Sequence, residues 1–227
     1  FTNVVDFKTT ATGRIAAFST ATTAEGVISI NAQGMPVYTS PAGATVTGTT
    51  AVNDGNWHHI AVTSNGTTLN IWIDGVSVAS TNVSGVTFGG TGSVTYIGYN
   101  QRDVSYINGW ITNLRIVSGT AVYTSAFTPP TSALTAITNT ILLLGVASSG
   151  AAFTDSSTNN YTVTNTGSVA YSPTTALYSG AFIVNGGGAI SNNFLVGGNL
   201  GVGTISPAAS IDVGSRTDAI VLPKGTT

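Results

Sequence analysis

The segment 53–75 constrains the fold most, because it contains two strand-like runs joined at residues 64–66 and followed by an Asp-Gly turn. Alternate residues of a β-strand point to opposite faces of a sheet. One face of each run is mostly aliphatic: His58, Ile60 and Val62 in the first run, and Leu69, Ile71 and Ile73 in the second. The pattern predicts an antiparallel hairpin within a half-buried sheet.

Short strand-like runs recur through the rest of the first 171 residues, separated by Gly, Asn, Asp and Pro. They are residues 2–8, 13–19, 27–32, 35–39, 76–80, 93–99, 106–117, 140–145, 161–164 and 168–171. The turn-forming residues at Asn31–Gly34 predict a hairpin turn. Pro129-Pro130 cannot continue a strand ladder, so it predicts a connection between strands. No segment before residue 130 has a helical period. Many short strands with frequent turns predict an all-β sandwich rather than an α/β fold.

Charged residues make up only 6% of the chain, against about a quarter in an average soluble domain. Thr, Ser, Asn and Gly take the surface positions instead, which favours strands over helices. The six Lys and Arg residues form no run, so nucleic acid and anionic membrane surfaces are excluded as partners. The absence of Cys excludes disulfides, thiolate metal sites and Cys nucleophiles. The longest apolar run, residues 140–147, is too short for membrane insertion.

The sequence pattern changes near residue 177, and from there very short apolar segments are separated by glycines. None of these pieces has enough apolar area to fold alone. Such segments usually bury themselves against copies of the same segment, as in trimeric fibre shafts. We therefore predict a β-sandwich domain over residues 1–176 and a glycine-rich β tail over residues 177–227. The tail predicts a homo-oligomer, with a trimer favoured.

Several segments resemble laminin G-like domains of the concanavalin A-like lectin type. Residues 54–63 (DGNWHHIAVT) and 69–75 (LNIWIDG) are similar to the central hairpin of that family, and residues 107–117 to a later strand. Residues 119–130 (GTAVYTSAFTPP) resemble the versions found in phage virion proteins. The likeness covers residues 1–130 well and the segment up to 175 moderately. It implies an antiparallel jelly-roll sandwich of two curved sheets.

The tail has a resemblance of its own. Residues 199–213 (NLGVGTISPAASIDV) are similar to a segment common in phage tail fibres and large bacterial adhesins, in which more sequence follows. We therefore expect the chain to be a piece of a longer polypeptide.

Together the two resemblances imply a non-enzymatic structural or adhesive component of the virion surface. Such a component is a fibre, spike or capsid-decoration protein that contacts a host glycan or neighbouring virion proteins. The alternative is a carbohydrate-binding module of a secreted enzyme or of an adhesin on the bacterial cell surface.

Aromatic side chains are the candidates for stacking on sugar rings. Trp57 and Trp110 occupy positions that pack in the core of the family, so we expect them to be buried. Trp72 faces away from the aliphatic side of its strand, so we expect it to be exposed. Trp72 and two loop or edge aromatics, Tyr99 and Tyr106, are therefore the predicted carbohydrate-binding residues.

The family resemblance implies a calcium ion at the sandwich rim, held by oxygen ligands. Asp54 and Asp103 lie in loops that could converge, so they are the candidate calcium ligands. The alternative is that Asp54 and Asp74 only form turns by bonding to their own backbone, and that Asp103 forms a solvated pair with Arg102.

The sequence offers little for catalysis. His58 and His59 are neighbours on a strand and point to opposite faces, so they cannot chelate one metal. We expect one to pack near a tryptophan and the other to lie at the surface. Sandwich-fold glycoside hydrolases place closely spaced carboxylates on one strand, whereas Glu25 is the only Glu here and the aspartates are dispersed. These features predict that the chain is not an enzyme.

Overall fold

A computed structural model describes residues 1–19, 24–40, 43, 45–84, 94–100, 104–144, 154–164, 200–201 and 211–212. The chain divides into two compact units, Phe1–Ser179 and Gly180–Thr227. All regular secondary structure of the described residues is β. Among these residues, no helix is long and apolar enough to cross a membrane.

In the part of the chain that the structure describes, the first unit contains thirteen strands and the second contains two. They are β1 (Thr2–Thr9), β2 (Gly13–Ser19), β3 (Ala24–Ile30), β4 (Pro36–Thr39), β5 (Thr45–Thr47), β6 (Trp57–Ser64), β7 (Thr68–Ile73), β8 (Val76–Asn82), β9 (Val94–Ile97), β10 (Tyr99–Asn100), β11 (Ser105–Tyr106), β12 (Gly109–Val117), β13 (Thr140–Leu144), β14 (Leu200–Gly201) and β15 (Ile211–Asp212).

Two antiparallel sheets form the sandwich. The six-stranded sheet has the order β13-β12-β1-β6-β7-β8, and the five-stranded sheet has the order β5-β4-β3-β2-β9. A small antiparallel hairpin of β10 and β11 lies against β2. In the second unit β14 and β15 pair in parallel. The predicted all-β sandwich of antiparallel sheets is confirmed.

The main core lies between the two sheets and contains the inward-facing side chains of both. The alternation predicted for the central hairpin is correct, because the aliphatic faces of β6 and β7 point into this core. The fully buried core side chains are Val5, Phe7, Ile15, Ile28, Tyr38, Val52, Ile60, Val62, Leu69 and Ile71.

Two predicted turns are confirmed. Asp74 and Gly75 have φ angles of 51° and 83°, as a type I′ hairpin turn requires. The side-chain oxygen of Asn31 accepts hydrogen bonds from the backbone N–H groups of Gln33 and Met35, at 3.0 and 2.9 Å, in the hairpin between β3 and β4. Side-chain-to-backbone bonding of this kind is why Asn favours turns.

Residues 161–164 form no strand, so that prediction is wrong. The reason is the buried carboxylate of Asp155, which accepts hydrogen bonds from the N–H groups of Leu143, Ser157 and Tyr161. These bonds fix a turn against the end of β13 and leave the next residues outside the ladder. The strand predicted over residues 168–171 lies outside the described residues.

A connection without strands, residues 118–139, crosses the outer face of the six-stranded sheet; we call it the strap. Its side chains Tyr123, Phe127 and Leu134 pack against Val4, Ala61 and Trp72 of the sheet, forming a second apolar cluster. The backbone of the strap is bonded to the sheet at three widely spaced points. These bonds are Val122 N–H to Thr2 Oγ1 (2.7 Å), Phe127 N–H to Gly75 O (3.0 Å) and Leu134 N–H to Asn113 Oδ1 (2.6 Å).

Candidate functional site

Tyr99 and Tyr106 are brought together by the β10–β11 hairpin, where they face each other as a register pair. Their rings stack with centroids 4.7 Å apart, and Tyr96 packs edge-on against Tyr99 at 5.7 Å. Tyr106 is 62% exposed, so one ring of the group is open to a ligand. We call these three residues the tyrosine cluster.

A groove of about 350 Å³ lies beside the hairpin that carries the tyrosine cluster. It runs over the outer face of the five-stranded sheet, where Arg14 of β2, Ser29 of β3 and Val37 of β4 contribute to its lining. Asn31 and Ser105 add polar groups at its ends. The groove therefore combines a cation, amide and hydroxyl groups and apolar surface, which suits a polar ligand with apolar faces.

Trp72 does not belong to this surface, and the prediction that it is exposed is wrong. It is only 4% exposed, because Phe127 of the strap packs against its indole at a centroid distance of 5.9 Å. Its indole N–H donates a 2.9 Å hydrogen bond to Thr63 Oγ1. The side chain does face away from the main core, but the strap covers it.

Trp110 is the opposite case, because it is exposed where burial was predicted. It lies on the outer face of the six-stranded sheet and is 42% exposed. Its strand partner is Lys8, whose ammonium group lies 5.6 Å from the centroid of the indole ring. Trp57 pairs with Lys8 from the other side and is half-buried.

Asp54 forms a turn, as the alternative to calcium binding predicts. Its carboxylate accepts hydrogen bonds from the backbone and side-chain N–H groups of Asn56 at 2.8 and 2.9 Å, and it also bonds His58. No cluster of three or more His, Asp or Glu side chains that could hold a metal exists within the described part of the chain. Asp103 lies outside the described residues, so the roles of Asp54 and Asp103 as calcium ligands stay predictions.

His58 links two loops at one end of the sandwich. Its Nδ1 lies 2.8 Å from Asp74 Oδ2 and its Nε2 lies 3.2 Å from Asp54 Oδ1. The hydrogen bond with Asp74 raises the pKa of His58 above its usual range, against the opposing effect of burial. Hydrogen bonds from Asn56, together with the bond to His58, lower the pKa of Asp54 to about 2.

We expect the pKa of His58, measured by NMR titration, to lie above its ordinary value of 6.5. Because Asp74 is the largest cause of the shift, Asp74→Asn should lower this pKa more than Asp54→Asn does. A group with a raised folded-state pKa stabilises the fold below its unfolded pKa, and this contribution disappears as the pH rises through the folded-state value. A His58 pKa at or below 6.5 would contradict the bonding seen here.

His59 is buried under the strap in a polar network. Its Nδ1 lies 2.6 Å from Asp6 Oδ1, and Asn113 Nδ2 donates a 2.8 Å bond to Asp6 Oδ2. A register shift of the β1–β12 ladder, with Asn113 at a φ of 57°, aims the amide at both Asp6 and the strap. His59 Nε2 is buried and has no hydrogen-bond partner among the described residues.

Sequence reasoning found two members of the tyrosine cluster and missed three other features: the third tyrosine, Arg14 of the groove, and the polar network under the strap. Tyr96 precedes Tyr99 by three residues, and this spacing does not predict that two side chains of a strand share a face. The two rings meet because Gly98, with a φ of 72°, interrupts the strand between them. Arg14 had no distinguishing pattern. The Asp6–His59–Asn113 network joins strands that are distant in sequence, and only the outward alternation of His59 on its strand gave a hint of it.

The concanavalin A-like lectin/glucanases superfamily model matches residues 7–125, more than half of the chain. A "putative carbohydrate binding protein" from Bacteroides ovatus has a similar solved structure, with a TM-score of 0.53 and 14% identity over 70% of this chain and 49% of that one. Domains LG4-5 of the mouse laminin α1 chain give a TM-score of 0.43 and 20% identity over 57% of this chain and 41% of that one. No curated protein matches.

The CBM40 of the Ruminococcus gnavus IT-sialidase gives a TM-score of 0.41 and 16% identity over 48% of this chain and 70% of that one. This chain spans less than half the length of the Bacteroides and laminin chains. The Bacteroides likeness shows the shared fold. With its two-sheet sandwich and a family match over residues 7–125, the chain belongs to the concanavalin A-like lectin/glucanases superfamily, with a laminin G-like domain.

Proposed function

We propose that this chain is a non-enzymatic glycan-binding domain, and that the tyrosine cluster and the adjoining groove form its binding site. The observation that carries the proposal is the stacked pair of Tyr99 and Tyr106, with Tyr106 62% exposed and its chain neighbour Ser105 lining the groove. Aromatic rings offer a broad apolar surface to the C–H face of a sugar, while polar groups bond its hydroxyls. Arg14 and Ser29 supply such groups.

Two further findings support this proposal. The chain shares its fold with a Bacteroides ovatus protein whose name describes carbohydrate binding. Four of the described carboxylates are also engaged elsewhere, because Asp6 and Asp155 are buried and hydrogen-bonded and Asp54 and Asp74 bond His58. Among the described residues, none of these four lines the groove, where a glycoside hydrolase would need a pair of carboxylates.

Tyr106→Ala should weaken glycan binding about tenfold, because it removes the exposed ring of the stacked pair, and tenfold corresponds to about 1.4 kcal/mol. The measurement is a glycan array with the wild-type chain, followed by calorimetric titration of the strongest ligand with both proteins. Tyr161→Ala is the matched control, since Tyr161 is also an exposed tyrosine, at 57%, and lies outside the tyrosine cluster. Equal losses in both variants, or no glycan bound by the wild type, would reject the site.

We further propose that this domain serves as an adhesive component of a virion surface, in a fibre, spike or capsid decoration. The support is the sequence resemblance of residues 119–130 and 199–213 to phage proteins. The carbohydrate-binding module of a secreted or cell-surface bacterial protein uses the same site and fits equally well. Sequence that flanks this chain would distinguish the virion component from the carbohydrate-binding module, since fibre repeats favour the virion and a catalytic domain favours the module.

The glycine-rich tail is proposed to hold the chain in a homotrimer. Most of residues 177–227 lie outside the described part of the chain, so the support is their short apolar pieces separated by glycines. We expect light scattering to give three times the chain mass for residues 1–227 and one chain mass for residues 1–176. A monomer in both cases would reject the trimer and favour a free-standing module.

A further inference from the structure

Lys8 lies between two tryptophans on the outer face of the six-stranded sheet. It pairs in register with Trp57 of β6 on one side and with Trp110 of β12 on the other. Residues opposite one another on neighbouring antiparallel strands point to the same face of the sheet. The three side chains therefore form one row across β6, β1 and β12, which we call the Trp-Lys-Trp row.

The strap leaves this row accessible. On this face the apolar cluster under the strap involves Val4, Ala61 and Trp72, which lie further along the strands. Trp110 is 42% exposed, although an indole is among the most favourable side chains to bury. A tryptophan exposed on a sheet face indicates a surface that another molecule contacts.

The positive charge of Lys8 has no acidic partner among the described residues. No ion pair of the described residues includes Lys8, and the nearest acid on the same face, Asp6, bonds His59 and Asn113 instead. The only described polar contact of the ammonium group is with the Trp110 ring, at 5.6 Å. An ammonium group that contacts only an indole ring can still attract an anion from the solvent, so the row complements an anion.

The distance between the two indoles limits which ligands can contact all three residues of the row. Neighbouring strands lie about 4.8 Å apart, so the two indoles sit roughly 10 Å apart with the ammonium group between them. A ligand that uses all three residues presents an apolar face, an anionic group and a second apolar face in a line. Sugar rings joined through a uronate have this order, since their C–H faces stack on aromatics and the carboxylate meets a cation.

We infer that the Trp-Lys-Trp row is a second binding site, which takes a segment of an acidic polysaccharide. A uronate carboxylate pairs with Lys8, and the flanking sugar rings stack on Trp57 and Trp110. The row lies on the six-stranded sheet, whereas the groove and the tyrosine cluster lie with the five-stranded sheet. The inference therefore does not depend on the proposed function, and a domain with both sites could bridge two glycan chains.

The test is calorimetric titration of the full chain with two hexasaccharides. One alternates glucuronate with N-acetylglucosamine, and the other contains N-acetylglucosamine alone. We expect the acidic probe to bind at least about tenfold more tightly than the neutral one. Trp110→Ala should weaken the acidic probe about tenfold, and Lys8→Gln about threefold with loss of the salt dependence, since an exposed charge contributes modestly.

Controls keep the test independent of folding and of the other site. Trp110 is exposed, so Trp110→Ala should unfold at the wild-type temperature, and Tyr161→Ala should bind the acidic probe as the wild type does. Trp110→Ala should bind the neutral probe as the wild type does, which separates this site from the tyrosine cluster.

Three results would overturn the inference: no binding of the acidic probe, equal binding of the neutral probe by the wild type, or unchanged binding of the acidic probe by Trp110→Ala. A fourth is self-association of the wild type that Trp110→Ala abolishes, because a second copy of the chain would then be the occupant.

Discussion

Asp6→Ala is expected to lower the free energy of unfolding by about 3 to 5 kcal/mol, the range for removing one partner of a buried charged or polar pair. The carboxylate of Asp6 is 1% exposed and bonds His59 Nδ1 and Asn113 Nδ2. The alanine would leave both donors buried without an acceptor, and each orphaned donor costs about 1 to 3 kcal/mol. This loss is a large fraction of the roughly 5 to 15 kcal/mol that stabilises a typical domain.

Denaturant unfolding of the two proteins measures this difference directly. Asp54→Ala is the matched control, because Asp54 also bonds a histidine but its side chain is 49% exposed. Its effect should be much smaller, since water replaces the lost bond. Asn113→Gly gives a second comparison, because glycine accepts the φ of 57° and only the amide is lost. If Asp6→Ala were no worse than Asp54→Ala, the network would not stabilise the fold.

The fold was largely predictable because its strongest signals are local. The alternation in residues 57–64 and 68–73 fixes which face of each strand is buried. The Asp74-Gly75 pair fixes the turn that follows, since both residues adopt the positive φ that this turn needs. Each of these signals depends on neighbours within a few residues, so the sequence shows them without knowledge of the rest of the chain.

The tryptophans show where local reasoning ends. Alternation correctly places Trp72 on the side of the sheet away from the main core, and Trp110 lies on that side too. Which of the two is covered depends on the path of the strap, and the strap is anchored by Thr2, Gly75 and Asn113. These contacts are far apart in sequence and follow no period, so burial of Trp72 and exposure of Trp110 could not be read from the pattern.

The candidate site was predicted in part for the same reason. Tyr99 and Tyr106 were chosen as separate edge aromatics, and the hairpin of β10 and β11 is what stacks them. The groove near them draws on four strands and two loops, a combination that only the folded sheets create. Sequence reasoning therefore identified residue types suited to sugar binding, while the arrangement that makes them a site required the folded sheet.

Gly75→Ala is expected to release the strap from the six-stranded sheet and to lower the free energy of unfolding by about 3 to 4 kcal/mol. Two costs contribute. A side chain at a φ of 83° costs about 1 to 2 kcal/mol. A Cβ at this position would also overlap the carbonyl oxygen of Phe127, so the strap must move away. That movement exposes Phe127, which is partly buried, so the loss is at most the roughly 1.5 to 3 kcal/mol of a fully buried side chain.

Gly66→Ala separates the two costs, because Gly66 has a similar φ of 94° but no atom within 4 Å of the added Cβ. It should lose only the backbone contribution, about 1 to 2 kcal/mol. The strap itself is followed by hydrogen exchange at the Phe127 amide, which donates to Gly75 O at 3.0 Å. We expect faster exchange of this amide in Gly75→Ala and unchanged exchange in Gly66→Ala. Equal losses of stability in the two variants, with Phe127 protected in both, would mean that the strap is not held by its close approach to Gly75.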